Sequence, residues 1–354
     1  MAVVPVAAAD AAPVAEGGVV SAASGRTVLV TGGAGYIGSH IVWALIDRGD
    51  RPVVLDDLST GSDRFLPPGV ALVRGDVGDR LLLASVLKGY RPDAVVHMAA
   101  KVVVPDSVAD PLGYYQTNVC KARTLIAACR AAGIGALVFS SSAAVYGMAE
   151  TSPTPEDTPT LPINPYGTSK LMVEWMLRDT AAASAGAFRY AALRYFNVAG
   201  ADPLGRTGQA TPGATHLIKV ACEAALGVRP VLPIYGSDYA TPDGTCVRDY
   251  IHVADLAQAH LLVLDHLTGG GASRVWNCGY GHGASVRQVV DAVERATGRP
   301  LPVKAAPRRA GDPPHLVADA ARLRADLSWT PRHDDLDAIV RSALDWETRL
   351  REGS

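Results

Sequence analysis

The sequence predicts an α/β chain: a doubly wound parallel sheet followed by a smaller α/β lobe. Three observations lead there. Short β-branched runs recur along the first half, apolar-periodic helical stretches separate them, and a glycine-rich turn joins the first run to its helix. Thr27-Val28-Leu29-Val30 is a compact apolar run with glycines just beyond it, the pattern of a strand buried on both faces. Ile37 to Arg48 spaces its apolar residues helically and stops at Gly49. Pro52-Val53-Val54-Leu55 is the second strand and ends in Asp56 and Asp57. Val70 to Val73, Ala94 to His97 and Ala136 to Phe139 continue the series. Parallel strands joined through helices need right-handed crossovers, which cover both faces of the sheet. After about Gly200 the elements shorten: Pro203 to Gly213 reads as loop, and turn residues interrupt Tyr239 to Gly244. The expected organisation is a disordered extension over residues 1–25, a first domain over 26–198 and a second lobe over 199–349, some segments of which return to the first domain.

Bulk properties narrow the function classes. A chain of 354 residues matches about two domains at roughly 150 residues each. Lys plus Arg total 33 against 35 Asp plus Glu, a net charge of −2 with no long basic run, so the surface is not built for a nucleic-acid backbone. No apolar run reaches the roughly 20 residues of a membrane span. The five cysteines are scattered without metal-ligand spacing. Reduced, mostly buried thiols, no metal site and a cytoplasmic location are the expectations. The first 25 residues contain no Lys or Arg and are interrupted by Asp10 and Glu16, unlike a secretion signal.

The first chemistry-bearing motif is Thr31-Gly32-Gly33-Ala34-Gly35-Tyr36-Ile37-Gly38, set between a strand and a helix. Glycines there allow a tight turn and bring backbone N–H groups close to a pyrophosphate at a helix N-terminus. This is the Rossmann-type arrangement, and Asp56 stands at the end of the next strand where an adenosine ribose would lie. Its carboxylate would repel a 2′-phosphate and no Arg follows at once, so NAD is expected rather than NADP. Asp76, in Arg74-Gly75-Asp76-Val77, is placed to reach the adenine or, equally, to cap a turn.

The second motif is Tyr166-Gly167-Thr168-Ser169-Lys170 after Asn164-Pro165. Pro suits a helix start, and positions i and i+4 share a face, so Tyr166 and Lys170 stand side by side. The expectation is that the ammonium lowers the phenol's pKa from its ordinary value near 10 and makes Tyr166 a usable acid/base group. The third is Phe139-Ser140-Ser141-Ser142-Ala143-Ala144-Val145-Tyr146-Gly147, a strand ending in three hydroxyls. One of them could bridge a substrate hydroxyl and Tyr166, and the others read as a polar turn or cap.

Together these motifs resemble the extended short-chain dehydrogenase/reductase superfamily. Leu193-Arg194-Tyr195-Phe196-Asn197, Thr245 to Val253 (TCVRDYIHV) and Ala306 to Pro313 (APRRAGDP) narrow the likeness. They are similar to the UDP-glucose 4-epimerase family, over about Thr27 to Trp346. The resemblance implies Tyr166, Lys170 and Ser142 as catalytic residues. It implies cofactor contacts from Gly32, Gly35, Tyr36, Ile37, Gly38, Asp56, Asp57, Asp76, Val77, Ala99, Asn118, Ser140, Lys170, Tyr195 and Phe196. On the substrate side it implies that Arg248 and Arg309 clamp a diphosphate, Tyr235 stacks on uracil, Asp312 accepts from the uridine ribose, and Asn197 bonds the diphosphate. His216-Leu217 replaces a frequent Asn-Leu in the family, and Leu316, three residues before Asp319, occupies the position that gates sugar size.

The function so implied is an NAD-dependent 4-epimerase of UDP-hexoses, interconverting UDP-glucose and UDP-galactose through a transient 4-keto sugar. Other UDP-sugars (N-acetylhexosamine, xylose/arabinose, uronic acid) remain alternatives. A nucleotide-sugar dehydratase is disfavoured because Ala143 and Ala144 stand where dehydratases carry Asp-Glu. A non-catalytic NAD-sensing protein would have no need of the Ser142, Tyr166 and Lys170 set. The resemblance further implies a homodimer paired through the helical stretches Tyr114 to Ala132 and Tyr166 to Ala183.

Overall fold

A computed structural model describes residues 25–309 and 312–352. The expected extension therefore lies, but for Gly25, outside the described residues. Strands are β1 (Thr27–Thr31), β2 (Arg51–Asp56), β3 (Ala71–Arg74), β4 (Ala94–His97), β5 (Ala136–Ser142), β6 (Arg189–Tyr195), β7 (Asn197–Ala199), β8 (Leu232–Tyr235), β9 (Val247–Arg248), β10 (Tyr250–His252), β11 (Arg274–Cys278), β12 (Ala284–Ser285), β13 (Val303–Ala306) and β14 (His315–Leu316). Helices are α1 (Tyr36–Asp47), α2 (Arg80–Tyr90), α3 (Val104–Ala109), α4 (Pro111–Tyr114), α5 (Lys121–Ala131), α6 (Pro165–Ala182), α7 (Leu217–Ala225), α8 (Val253–Thr268), α9 (Val286–Thr297), α10 (Ala321–Leu327) and α11 (Leu336–Glu352). A π-helical turn, Tyr115–Cys120, links α4 to α5.

Seven strands form the central sheet in the order β11-β6-β5-β4-β1-β2-β3, every neighbouring pair parallel. Alternation along each strand feeds two separate cores. From β1, Val28 and Val30 pack with Ile41 and Leu45 of α1 and with Leu256 and Leu264 of α8. Leu29 turns to the other face, among Leu83 and Leu87 of α2, Leu125 of α5, and Val173 and Leu177 of α6. Each of these side chains is essentially inaccessible, and burying one stabilises the fold by about 1.5–3 kcal/mol. The sheet runs 3-2-1 and then 4-5-6, so its reversal point lies between β1 and β4. In open α/β sheets that crevice, beyond the carboxyl ends of the strands, holds the ligand.

The chain leaves this sheet at Tyr195 and comes back to it. After β6 it builds α7, β8 and β9, and then α8 packs beside α1 and β11 adds the seventh strand next to β6. The remaining strands are short and make small sheets: β13 beside β8, β10 beside β7, and β12-β9-β14. Of the boundaries that differ from expectation, two have a clear structural cause. The third strand begins at Ala71 because Gly69 (φ +79°) and a bond from Val70 N–H to the Pro67 carbonyl hold Val70 in a turn. The fifth extends to Ser142, because β6 continues opposite it and pairs Ser142 with Tyr195. The serines therefore sit on the sheet ladder.

Four of the five cysteines are buried and Cys120 is exposed, with no disulfide among them. Among the described residues no helix is long and apolar enough to cross a membrane.

Candidate active site

The glycine loop wraps the N-terminus of α1 at the reversal point. Gly32 has φ +71°, and a Cβ there would lie 2.6 Å from the backbone nitrogen of Ala99, just past β4. A Cβ on Gly38 would lie 2.1 Å from the Gly32 carbonyl oxygen. These two glycines let loop, helix and neighbouring strand approach to backbone distance. Gly35 is the N-cap of α1, so no side chain caps the helix, and its first turn carries no acidic residue. The leading N–H groups are thus left to meet an anion. Tyr36 and Ile37 follow on the first turn; the Tyr36 hydroxyl donates to the Gly200 carbonyl at 2.7 Å, and Ile37 packs against the core.

Asp56, at the tip of β2, is buried, and its two oxygens accept the Ala34 N–H (2.9 Å) and the Leu58 N–H (2.8 Å). Burial raises its pKa while those N–H bonds oppose the rise. It ties the glycine loop to the second strand and keeps lone pairs free for a ribose. Asp57 is exposed and accepts the Ser59 N–H at 2.9 Å. Asp76 caps Gly78 and pairs with Lys121 at 2.6 Å. Burial presses its pKa upward, but Lys121 and the Gly78 N–H bring it below the ordinary carboxylate value. Val77 is buried in the core beneath β2. Asn118, on the π-helical turn, accepts the Lys101 N–H (2.8 Å) and donates to the Lys101 carbonyl and to Ser169 (both 3.0 Å), fixing the segment after β4 to α6.

The end of β5 separates the three serines by partner. The Ser140 hydroxyl meets His260 of α8 at 2.9 Å. Ser141 donates to Glu174 of α6 at 2.5 Å. Ser142 accepts the Ala144 N–H at 3.2 Å, and its hydroxyl opposes the rise that burial imposes on the Tyr166 phenol. Of the three, Ser142 is the one that acts on Tyr166 electrostatically.

Helix α6 starts where the sequence indicated: Asn164 caps it by accepting the Gly167 N–H at 2.8 Å, and Pro165 is its first residue. Lys170 is buried and donates to the Ser140 carbonyl at 2.9 Å; its Nζ lies 5.0 Å from the Phe139 ring centre and 5.9 Å from that of Tyr166. The expected lowering of the phenol's pKa by this lysine is not found. Burial pushes Tyr166 up to about 12, the Ser142 bond opposing. Burial also lowers Lys170 to about 8, with the Glu174 charge holding it up. The physical reason is that Lys170 spends its bond on the strand carbonyl, so desolvation dominates at both groups.

Tyr195 closes β6 beside His260, its rings 6.3 Å apart at the centres, and burial raises its pKa. Phe196 is buried with Ala143, Tyr146 and Leu171, and Leu316 packs on that cluster. Asn197 lies in β7, opposite Tyr250, and its N–H bonds the Asp249 carbonyl at 3.0 Å.

The lobe gathers the remaining candidates. Arg248 is buried, donates to the Val247 carbonyl at 2.8 Å and pairs with Asp312. Arg309 lies 3.8 Å over the ring centre of Tyr235. The residues expected to grip phosphate and uridine thus engage one another. Leu316 pairs with Arg248 in the β14–β9 ladder. Asp249, adjacent to Arg248, is structural: it accepts N–H groups from Tyr280 (3.0 Å), Gly281 (3.1 Å) and Ala318 (3.2 Å). His216 and Leu217 stand at the start of α7, where His216 meets Gln209 at 3.3 Å and joins a cavity with Tyr36, Gly200 and Trp346.

One group escaped the sequence reading. Glu174 and Arg194 form a buried pair (Nε–Oε1 3.0 Å, Nη2–Oε2 2.6 Å) under the serines. Glu174 follows Lys170 by four residues, and that helical spacing was the available signal.

A nucleotide cradle at the helix N-terminus and a Ser-Tyr-Lys group at the strand ends define a dinucleotide-dependent enzyme of the short-chain type. Residues 28–279 match the model of the NAD dependent epimerase/dehydratase family, and the chain belongs to that family. It is 60% identical over 332 residues to a UDP-glucose 4-epimerase of Azospirillum brasilense, covering 94% of each chain. Among solved structures it is similar to the UDP-glucose 4-epimerase of Brucella ovis in complex with NAD (TM-score 0.88, 46% identity, 90% of this chain and 98% of that one). It is also similar to the Bifidobacterium longum enzyme in complex with NAD+ and UDP (TM-score 0.87, 38% identity, 93% and 100%).

Proposed function

We propose that this chain is an NAD-dependent 4-epimerase of UDP-hexoses that interconverts UDP-glucose and UDP-galactose. The observation that carries the proposal is the placement of Tyr166 and Lys170 side by side on α6, with Lys170 Nζ 5.9 Å from the Tyr166 ring centre. Lys170 is bonded to the Ser140 carbonyl at the end of β5, in a sheet whose first strand leads into an uncapped glycine loop. The 60% identity to a UDP-glucose 4-epimerase over 94% of both chains supports the same reading.

The residues present fit NAD. Gly32 and Gly38 leave no room for side chains, the α1 N-terminus is free for a pyrophosphate, and Asp56 is a carboxylate that disfavours a 2′-phosphate. When bound, NAD would supply a reversible hydride acceptor for the sugar C4 and would leave each turnover unchanged. Tyr166 holds and returns the proton of the sugar 4-hydroxyl. Ser142 aligns that hydroxyl with the phenol oxygen, and Lys170 brings positive charge to the nicotinamide ribose and the phenol. Arg248 and Arg309 grip the diphosphate in forked, charge-assisted bonds, with Asp312 turning to the uridine ribose and Tyr235 to the base. Anchoring only the nucleotide end leaves the hexose free to rotate and present its other face.

The test is incubation with a panel of UDP-sugars and chromatographic identification of the 4-epimers. UDP-glucose and UDP-galactose are expected to interconvert, and activity confined to pentose or uronic-acid substrates overturns the substrate assignment. The chain acts in the cytoplasm as a homodimer. Exposed Trp175 on α6, within the expected stretch Tyr166 to Ala183, supports that pairing; the exposed Val108 and Leu112 lie just before the other expected stretch. Sedimentation should give the mass of two chains, and a monomeric mass refutes it.

A further inference from the structure

Beneath the serines at the end of β5 lies a buried polar relay of Ser141, Glu174, Arg194 and Tyr146. Glu174 stands one helical turn beyond Lys170 on α6. One of its oxygens takes the Ser141 hydroxyl at 2.5 Å and Arg194 Nε at 3.0 Å, and the other takes Arg194 Nη2 at 2.6 Å. Arg194 continues to the Tyr146 hydroxyl at 3.0 Å and the Glu156 carbonyl at 3.2 Å, and Tyr146 donates to Asn277 of β11 at 2.7 Å. The carboxylate therefore joins α6, β5 and β6 at one point. Ser141 is flanked on β5 by Ser140, whose carbonyl takes Lys170, and by Ser142, which ends the strand.

We propose that Glu174, held by Arg194 and tethered through Ser141, is a positioning residue that fixes α6 against the end of β5, so that Tyr166 and Lys170 stay in register with Ser142. A buried ion pair adds little net stability compared with apolar packing. A pair kept at this junction serves geometry, because α6, which carries Tyr166 and Lys170, is bonded to β5 here by Glu174–Ser141 and Lys170–Ser140. The Glu174 charge also opposes the burial that lowers Lys170. The other groups facing Lys170 are Tyr166 on its own helix, His97 of β4 and the Ser140 carbonyl of β5. His97 is buried and lowered to about 3, hence neutral, and Arg194 lies beyond Glu174.

This inference rests on the epimerase reading, and its test separates the two. Ser141→Ala cuts the tether and leaves the ion pair intact. The variant should keep its NAD content and its KM for UDP-glucose within about twofold while kcat falls about tenfold, as a small misplacement at the reacting atoms costs rate before binding. Ser141→Thr should restore most of kcat. Glu174→Gln should shift the alkaline fall of kcat to lower pH by about one unit, as Lys170 loses its supporting charge. Unchanged kcat in Ser141→Ala overturns the proposal, whether or not Glu174→Gln folds. If the wild type converts no UDP-sugar, the epimerase reading fails, and hydrogen exchange over residues 139–147 decides the positioning role. Faster exchange in Ser141→Ala supports the tether, and equal exchange overturns it.

Discussion

Ser142, Tyr166 and Lys170 stand on a seven-residue strand and an eighteen-residue helix, with Ser142 bonded to the Ala144 N–H and Lys170 to the Ser140 carbonyl. Arg248 and Leu316 stand on strands of two residues, with Tyr235 at the tip of one of four, and Arg248 and Tyr235 are engaged by Asp312 and Arg309. On the proposed reading the chemical half of the site is preorganised, whereas the nucleotide half would carry out an exchange. A diphosphate would draw Arg248 from Asp312 and Arg309 from Tyr235 before being held. Mutations on the sheet side should therefore change kcat, and mutations on the lobe side should change KM.

The largest effect should come from Tyr166→Phe. Removing the proton-carrying oxygen should lower kcat about 10³-fold and leave bound NAD unchanged, as measured by epimer formation and by cofactor released on denaturation. Lys170→Met comes next, with kcat lower by about 10²-fold and the melting temperature raised at pH 7. The sign follows from the depressed value of about 8 against an ordinary 10.5. Below pH 8 the native state carries a buried ammonium at a cost of roughly 3 kcal/mol. Between pH 8 and the unfolded value the unfolded chain holds more protons, so wild-type stability climbs and the advantage of the variant shrinks. Scanning calorimetry at pH 7 and pH 9.5 checks this.

Arg248→Ala should raise KM about 30-fold with kcat within a few-fold, the loss expected for one charge-assisted contact. Equal losses in kcat and kcat/KM would break the division between the halves. The smallest change is expected at Leu316, which packs on the cluster of Ala143 and Phe196 next to Ser142. Leu316→Cys should increase turnover of UDP-N-acetylglucosamine relative to UDP-glucose by up to about tenfold. Paired assays on the two substrates sharpen where the lobe meets the catalytic group.

Local chemistry carried most of the sheet side. Alternation of apolar runs, Gly32-Gly35-Gly38 before a helix, and Asn164-Pro165 at a helix start each act within a few residues and are visible in a single sequence. The division of labour among Ser140, Ser141 and Ser142 was not. It depends on His260, Glu174 and Tyr166 arriving from two different helices, and nothing local ranks three identical hydroxyls. The lysine effect on Tyr166 was misjudged for a similar reason. Spacing puts the two side chains on one face, but the sheet supplies the Ser140 carbonyl that captures the ammonium and the depth that desolvates both. On the lobe, the strings around Arg248 and Asp312 were readable as a pair of binding segments. Their mutual bond depends on β9 and β14 lying side by side, a pairing of residues 68 apart from Val247 to His315.

The late arrival of β11 has a consequence for biogenesis. Until Arg274 to Cys278 has been made, β6 offers an open row of N–H and C=O groups along the catalytic side of the sheet. A nascent chain cut short near residue 198 would display this sticky border to any extended peptide, including its own copies. Expression of the first 198 residues alone should yield aggregates, and the ribosome must deliver about eighty further residues before that border can be sealed.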